Sequence, residues 1–207
     1  MKEAISSLSE SATAEGLFSG VELDITSDES ISSAFEEVKS KHGRLDVLIN
    51  NAAVFPQNIA SKRELWQTTF ATNVISTVVI TDKFTPLLLE SMNDPRLVFL
   101  SSSLASLTIA ETWEPKHGLN ISAYSASKAA LNMYMVQKTK ELGKYGIKVW
   151  AVDPGLNATN MVGSVERATA FGAKHPSEGA QDIVDVVEGK RDDCVGKNVW
   201  ANGVRPW

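Results

Sequence analysis

The 207-residue chain has a single cysteine, Cys194, so no internal disulfide can form, and a reducing, cytoplasmic compartment is the expected home. No uninterrupted apolar run comes near the roughly 18 residues of a membrane span. The opening residues, Met1-Lys2-Glu3-Ala4-Ile5, lack the apolar core of a secretory signal. Basic charge is also scarce. Twenty Lys and Arg against 25 Asp and Glu leave a net charge of −5, which argues against nucleic acid or an anionic membrane as partner. His42, His117 and His175 show no metal-ligand spacing, so no metal is expected. There is no Gly-x-Ser-x-Gly elbow, which removes that route to a serine hydrolase. Neither a repeat nor a linker-like break divides the chain, so residues 1–207 are read as one domain.

What is present is an ordinary globular composition, 43% hydrophobic and 22% charged, which excludes disorder. Residues 1–14 are polar helix formers with a thin apolar stripe. Residues 20–25 alternate apolar and polar as a short strand would. Thr26-Ser27-Asp28-Glu29 is a helix start, and Ile31, Ala34, Phe35 and Val38 recur at helical spacing down to Gly43. Residues 45–50 are apolar enough to predict a strand buried on both faces. A helix-rich stretch over 62–92, a buried strand over 97–100, a long helix over 122–144 and a strand over 147–152 follow. A helix over 177–188 and a last strand over 198–201 complete the pattern. Strands alternating with helices predict βαβ units and a mostly parallel sheet.

Ligands of open α/β sheets lie beyond the carboxyl ends of the strands. Those ends carry Asp24, Asn50-Asn51-Ala52-Ala53, Ser101-Ser102-Ser103 and Asp153-Pro154-Gly155. Any one of these could be a plain turn former; four in register suit a backbone-lined site for a flat or phosphorylated ligand. On the long helix Tyr124 and Lys128 share a face at i,i+4, where an ammonium would lower the phenol's pKa toward neutrality and make it a general acid or base. Tyr134 and Lys138 repeat the spacing. Small neighbours around Tyr124 leave room for a ligand, whereas Met133 and Met135 beside Tyr134 look like packing residues, so Tyr134 is read as structural.

With these residues in this order, the chain resembles the short-chain dehydrogenases/reductases, nicotinamide-dependent oxidoreductases on a Rossmann-like doubly wound parallel sheet. Asn50-Asn51-Ala52-Ala53 matches the family's Asn-Asn-Ala-Gly, with alanine for the glycine. Tyr124 and Lys128 match Tyr-x-x-x-Lys, Ser102 the catalytic serine with Ser101 and Ser103 as adjacent candidates, and Asn73 the helix asparagine that supports the proton relay through a water. Pro154-Gly155 and Thr159 match the loop that contacts the nicotinamide, and Asp24 the acid that contacts the adenine. The resemblance implies catalysis by Asn73, Ser102, Tyr124 and Lys128. It implies cofactor contacts from Asp24, Asn50, Ala52, Tyr124, Lys128, Pro154, Gly155 and Thr159. NADP or NAD is the implied cofactor, with NADP ahead, and a small-molecule carbonyl or alcohol the substrate. A homodimer or homotetramer is the implied assembly, built on long helices where Met133, Val136 and Leu142 offer a contact or else face the protein's own sheet. Residues 107–119 are either a pocket wall or a surface excursion, and Met161, Val162 and Phe171 suit an apolar substrate or the core.

The family's glycine-rich Thr-Gly-x-x-x-Gly-x-Gly turn has no counterpart here: Gly16 and Gly20 have the first spacing, but position 22 is Glu22. The residues before Asp24 are too few for two strands and a helix, so the sheet is expected to be truncated at its N-terminal side, lacking the first two strands. Residues 21–25 then either pair with residues 45–50 or form no sheet strand, and 45–50 becomes an edge. An inactive homologue that cannot hold cofactor is the alternative to an enzyme.

Overall fold

A computed structural model describes residues 18–113 and 118–207. The expectations for residues 1–14 and for Gly16 fall outside them. The described chain runs through helix α1 (Asp28–His42), strand β1 (Val47–Asn50), helices α2 (Lys62–Phe70) and α3 (Thr77–Leu89), strand β2 (Arg96–Leu100), and short helix α4 (Leu107–Ala110). Long helix α5 (Ser122–Leu142), strand β3 (Lys148–Val152), helices α6 (Val165–Ala170) and α7 (Pro176–Val187), and strands β4 (Asn198–Trp200) and β5 (Gly203–Val204) follow. Among the described residues the sheet order is β1-β2-β3-β4-β5, parallel except for the β4–β5 pair.

Local chemistry sets the boundaries. The Ser27 hydroxyl accepts from the Ser30 amide at the start of α1, and Gly43, at φ +70°, closes its end by donating to Lys39. β2 is buried along its whole length, which its run Leu97-Val98-Phe99-Leu100 predicts. Alternate residues of β2 point to opposite faces. Leu97 and Phe99 pack with Leu88 of α3 and Leu131 and Met135 of α5; Val98 and Leu100 pack with Trp150, Val199 and Val186 of α7. Helices therefore cover both faces, as a doubly wound sheet requires.

Residues 21–25 form no strand, the second of the two outcomes expected of them although they alternate, and Val21 and Ile25 pack against the α1–α3 cluster. Two expectations need correction. β1 is not buried on both faces, since Ile49 is 41% exposed. It has β2 on one side and no strand on the other among the described residues. The last strand stops at Trp200, and Gly203–Val204 turns back antiparallel on it. A two-residue strand carries no periodicity to read.

At the amino ends of β2 and β3, away from the carboxyl-end tips that carry the candidate residues, Arg96 is buried under a double ion pair. Its guanidinium donates to Asp192 at 2.5 and 3.1 Å and to Asp94, and Lys148 reaches Asp192 at 2.6 Å. Arg96 beside Asp192 holds that carboxyl at about 2, below the ordinary 3.8. Between those values the unfolded chain binds a proton that the folded chain does not, so this contribution is complete above about pH 4 and is lost as pH falls through 2. Because the Asp192 side chain is 34% exposed, Asp192→Asn should cost only about 1 kcal/mol at neutral pH. Urea unfolding at pH 5 and pH 2.5 should show the wild type losing that margin and the variant not.

Candidate active site

The carboxyl ends of β2 and β3 and the first turns of α5 meet around a cavity of about 480 Å³. Ser102, Tyr124, Lys128, Pro154, Gly155 and Thr159 all line it. Ser101 and Ser103 line it as well; Ser101 is buried and donates to Asn132 at 2.6 Å. The Ser102 oxygen accepts the Leu104 amide at 3.2 Å, and its hydroxyl is hydrogen-bonded to Tyr124.

Tyr124 and Lys128 share the buried face of α5. Lys128 donates to the Leu100 carbonyl at 2.6 Å, which pins the long helix to the end of β2, and its ammonium lies 5.7 Å from the centre of the Tyr124 ring. Burial pushes the Lys128 pKa down to about 8. The Tyr124 pKa is pushed up, first by burial, then by the nearby Asp153 carboxylate, with hydrogen bonding to Ser102 pulling the other way. This corrects the expectation of a phenol lowered toward neutrality. Desolvation outweighs an ammonium that is itself discouraged from charging, and the phenol stays protonated at neutral pH.

The sign of the Lys128 shift gives a test. Between about 8 and the ordinary 10.5 the unfolded chain holds a proton that the folded chain has released, so stability should rise with pH across that window. Lys128→Met should flatten the rise and stabilise the fold by about 2 kcal/mol at pH 7, read as a higher melting midpoint, because a buried cation without a carboxylate partner is replaced by an apolar chain.

Asn73 lies 1% exposed in a π-helical turn, Ala71–Ser76, between α2 and α3. Its amide oxygen accepts from the Val54 amide at 2.8 Å, and its nitrogen donates to the Val54 carbonyl and to Ser127 Oγ, both at 3.0 Å. Ser127 in turn donates to the Tyr124 carbonyl at 2.7 Å. The Asn73 side chain thus fastens the loop after β1 to α5, and its polar atoms are occupied by protein groups.

The other sequence candidates are spread more widely. Asn50 turns back to donate to Thr81 at 3.1 Å. With Asn51, Ala52, Leu23 and Ile25 it lines a second hollow of about 270 Å³. Asp24 is exposed beside that hollow, and Thr26 donates to its carboxylate twice, at 2.7 and 2.9 Å, which keeps its pKa below the usual value. Thr159 lines the main cavity while its oxygen caps the Met161 amide at 3.4 Å. Trp113, Leu119, Met161, Val162 and Phe171 line the same cavity, so positions 113 and 119 of the 107–119 segment contribute to a wall; its residues 114–117 lie outside the described residues. Tyr134 donates to Asp82 at 2.9 Å and lies edge-on to Phe99, away from the cavity; its neighbour Met135 is core, but Met133 is 61% exposed. Leu142 belongs to the core and Val136 packs against it. Sequence reasoning passed over Phe55, whose ring meets Tyr124 at 4.8 Å; its only signal was being an aromatic residue just after Asn50-Asn51-Ala52-Ala53.

A family model described as short chain dehydrogenase matches residues 1–170. The chain belongs to the short-chain dehydrogenase family. Short-chain dehydrogenase/reductase tropE of Talaromyces stipitatus is 40% identical over 200 residues, covering 89% of this chain and 75% of that protein. Short-chain dehydrogenase/reductase eupG of a Phoma species is 36% identical over 209 residues, with coverage of 89% and 75%. An NADPH-bound carbonyl reductase from chicken fatty liver superposes with a TM-score of 0.83 at 22% identity, covering 99% of this chain and 82% of that one. This last likeness shows the Rossmann-like fold. Among the described residues no helix is long and apolar enough to cross a membrane, and no cluster of three or more His, Cys, Asp or Glu is placed to hold a metal.

Proposed function

We propose that this short-chain dehydrogenase family member is a single-domain, nicotinamide-dependent oxidoreductase that interconverts a small-molecule ketone or aldehyde with its alcohol. The observation that carries this reading is the meeting of Ser102, Tyr124 and Lys128 with Gly155 and Thr159 around one cavity whose other walls are largely apolar. Gly155 has φ +72°, and a Cβ there would meet nothing within 4 Å, so a flat ring has open space against that turn. The nicotinamide end of a cofactor fits these residues: Tyr124 and Lys128 would hold the ribose, and Pro154, Gly155 and Thr159 the ring and its carboxamide. The hollow flanked by Leu23, Ile25 and Asn50, with Asp24 and Ala52 at its margin, suits the adenine end. When bound, the cofactor supplies or takes up hydride.

The protein's own residues do the rest. Ser102 donates to the substrate oxygen and stabilises the charge that develops on it. Tyr124, protonated at neutral pH, gives that oxygen its proton in reduction and takes it back in oxidation. Lys128 holds its ammonium near the phenol, and Asn73 keeps the loop after β1 against the helix that carries both. NADP stands ahead of NAD in this reading, supported by the fold neighbours described with NADPH and with NADP, the latter a short chain dehydrogenase from Burkholderia cenocepacia. A cytoplasmic homodimer or homotetramer belongs to the same reading, with exposed Met133 on α5 offering a contact.

The alternative reading is a family member that keeps the catalytic half without holding cofactor. Thermal unfolding with and without NADPH and NADH separates the two. A ligand that binds only the folded chain at a hundredfold excess over its Kd adds about 2.7 kcal/mol. A raised midpoint is the expected result. A cooperative transition indifferent to both cofactors would leave the second reading standing.

A further inference from the structure

We propose that Arg205 is a positioning residue for the cofactor-facing turn Pro154-Gly155, acting through the buried carboxylate of Asp153; the cofactor part of this proposal rests on the function proposed above. Asp153 ends β3 and is 2% exposed. One carboxylate oxygen, Oδ1, accepts the Gly155 amide at 2.9 Å, which fixes the turn at its left-handed glycine. The other, Oδ2, accepts from Arg205 Nε at 2.7 Å, and this is the only ion pair of Asp153 among the described residues. Arg191, the other arginine near this end of β4, spends its guanidinium on the Trp200 and Gly203 carbonyls at 3.1 and 2.8 Å.

Arg205 is itself held on three sides. Its amide donates to the Asn198 carbonyl at 2.7 Å, the β4–β5 hairpin brings it beside the end of β3, and its guanidinium lies 3.6 Å from the centre of the Trp200 ring. A neutral side chain at position 153 could cap Gly155 unaided. A buried carboxylate needs a cation, and meeting that need couples the turn to a hairpin 50 residues further along the chain. With Oδ2 anchored, Oδ1 has one orientation, and the Gly155 amide is held where the cavity requires it. The Asn157 amide nitrogen, 3.1 Å from both the Pro154 and Gly155 carbonyls, completes the brace from the other side.

The test uses the full chain with Arg205→Gln and Arg205→Lys. Amide exchange across residues 150–163 is followed without cofactor, and NADPH affinity by nicotinamide fluorescence. For Arg205→Gln, loss of a charge-assisted hydrogen bond should accelerate Gly155 exchange about tenfold and weaken NADPH binding about tenfold, with kcat at saturating NADPH falling less than about threefold. Arg205→Lys, which keeps the charge but not the planar fork over Trp200, should lie between. A lowered melting midpoint with unchanged Gly155 exchange would overturn the proposal and leave Arg205 a purely structural residue. If Arg205→Gln fails to fold, Arg205→Lys decides: exchange faster by about threefold supports the coupling, and unchanged exchange sinks it. A wild type that binds neither NADPH nor NADH would remove the function proposed above, while Gly155 exchange still decides the role of Arg205.

Discussion

Replacing Tyr124 by Phe should lower carbonyl reduction by about a thousandfold, the scale of a lost general acid, while the fold and the cofactor-dependent rise in melting midpoint remain. The separation is expected because the phenol oxygen does little for the fold. The ring packs against Phe55 in either form, and Ser102 keeps the Leu104 amide as a partner. Steady-state rates over a panel of ketones and aldehydes, with the thermal shift measured in parallel, test both halves. A variant that turns over as fast as the wild type would move the proton to another group. Tyr134→Phe is the control. It loses a bond to Asp82 at the protein surface and should change turnover by less than about twofold.

Asn73→Ala should destabilise the protein by about 3 kcal/mol, because three hydrogen bonds disappear and the Val54 amide and carbonyl are left without their partner. For a chain of this size that corresponds to a fall of about 6–12 °C in melting midpoint. The damage should be local first. Exchange in the loop after β1 should accelerate before the rest of the sheet opens, and Phe55, carried on that loop, should lose its fixed contact with Tyr124. A melting midpoint within a degree of the wild type would mean that water replaces Asn73 at Val54. Turnover lost with an unchanged midpoint would instead point to the water-relay role that the family resemblance implies.

The two asparagine readings show where the sequence stops informing. The family resemblance identified Asn73 as special, yet its partner Val54 is 19 positions away and donates and accepts through its backbone, which no side-chain pattern encodes. Strands β2 and β3 were legible because four or five consecutive apolar residues have no other comfortable place than a sheet interior. The alternation of residues 21–25 leaves open whether they form a strand, because alternation alone does not bond them to a neighbour. The two Tyr-x-x-x-Lys pairs of α5 could be told apart by their neighbours, small beside Tyr124 and large beside Tyr134, although only Met135 of the two methionines packs inward. Arg205 left no trace in the sequence. Its meaning depends on a hairpin with a two-residue strand that returns it to Asp153.

The π turn between α2 and α3 has a consequence for how this segment tolerates length changes. A π turn holds one residue more than an α turn, so removing a single residue within Ala71–Ser76 would restore a regular helix and improve its local hydrogen bonding. The wider turn absorbs the extra residue, so Leu65 and Thr69 on one side and Ile80, Phe84 and Leu87 on the other would keep their phase, while the residues inside the turn would shift and carry Asn73 away from Val54. The rod is therefore locally weaker than its composition allows, and the irregularity is what aims Asn73. Insertions and deletions should be accepted in the loop before Ser61 and rejected within the six residues that carry Asn73.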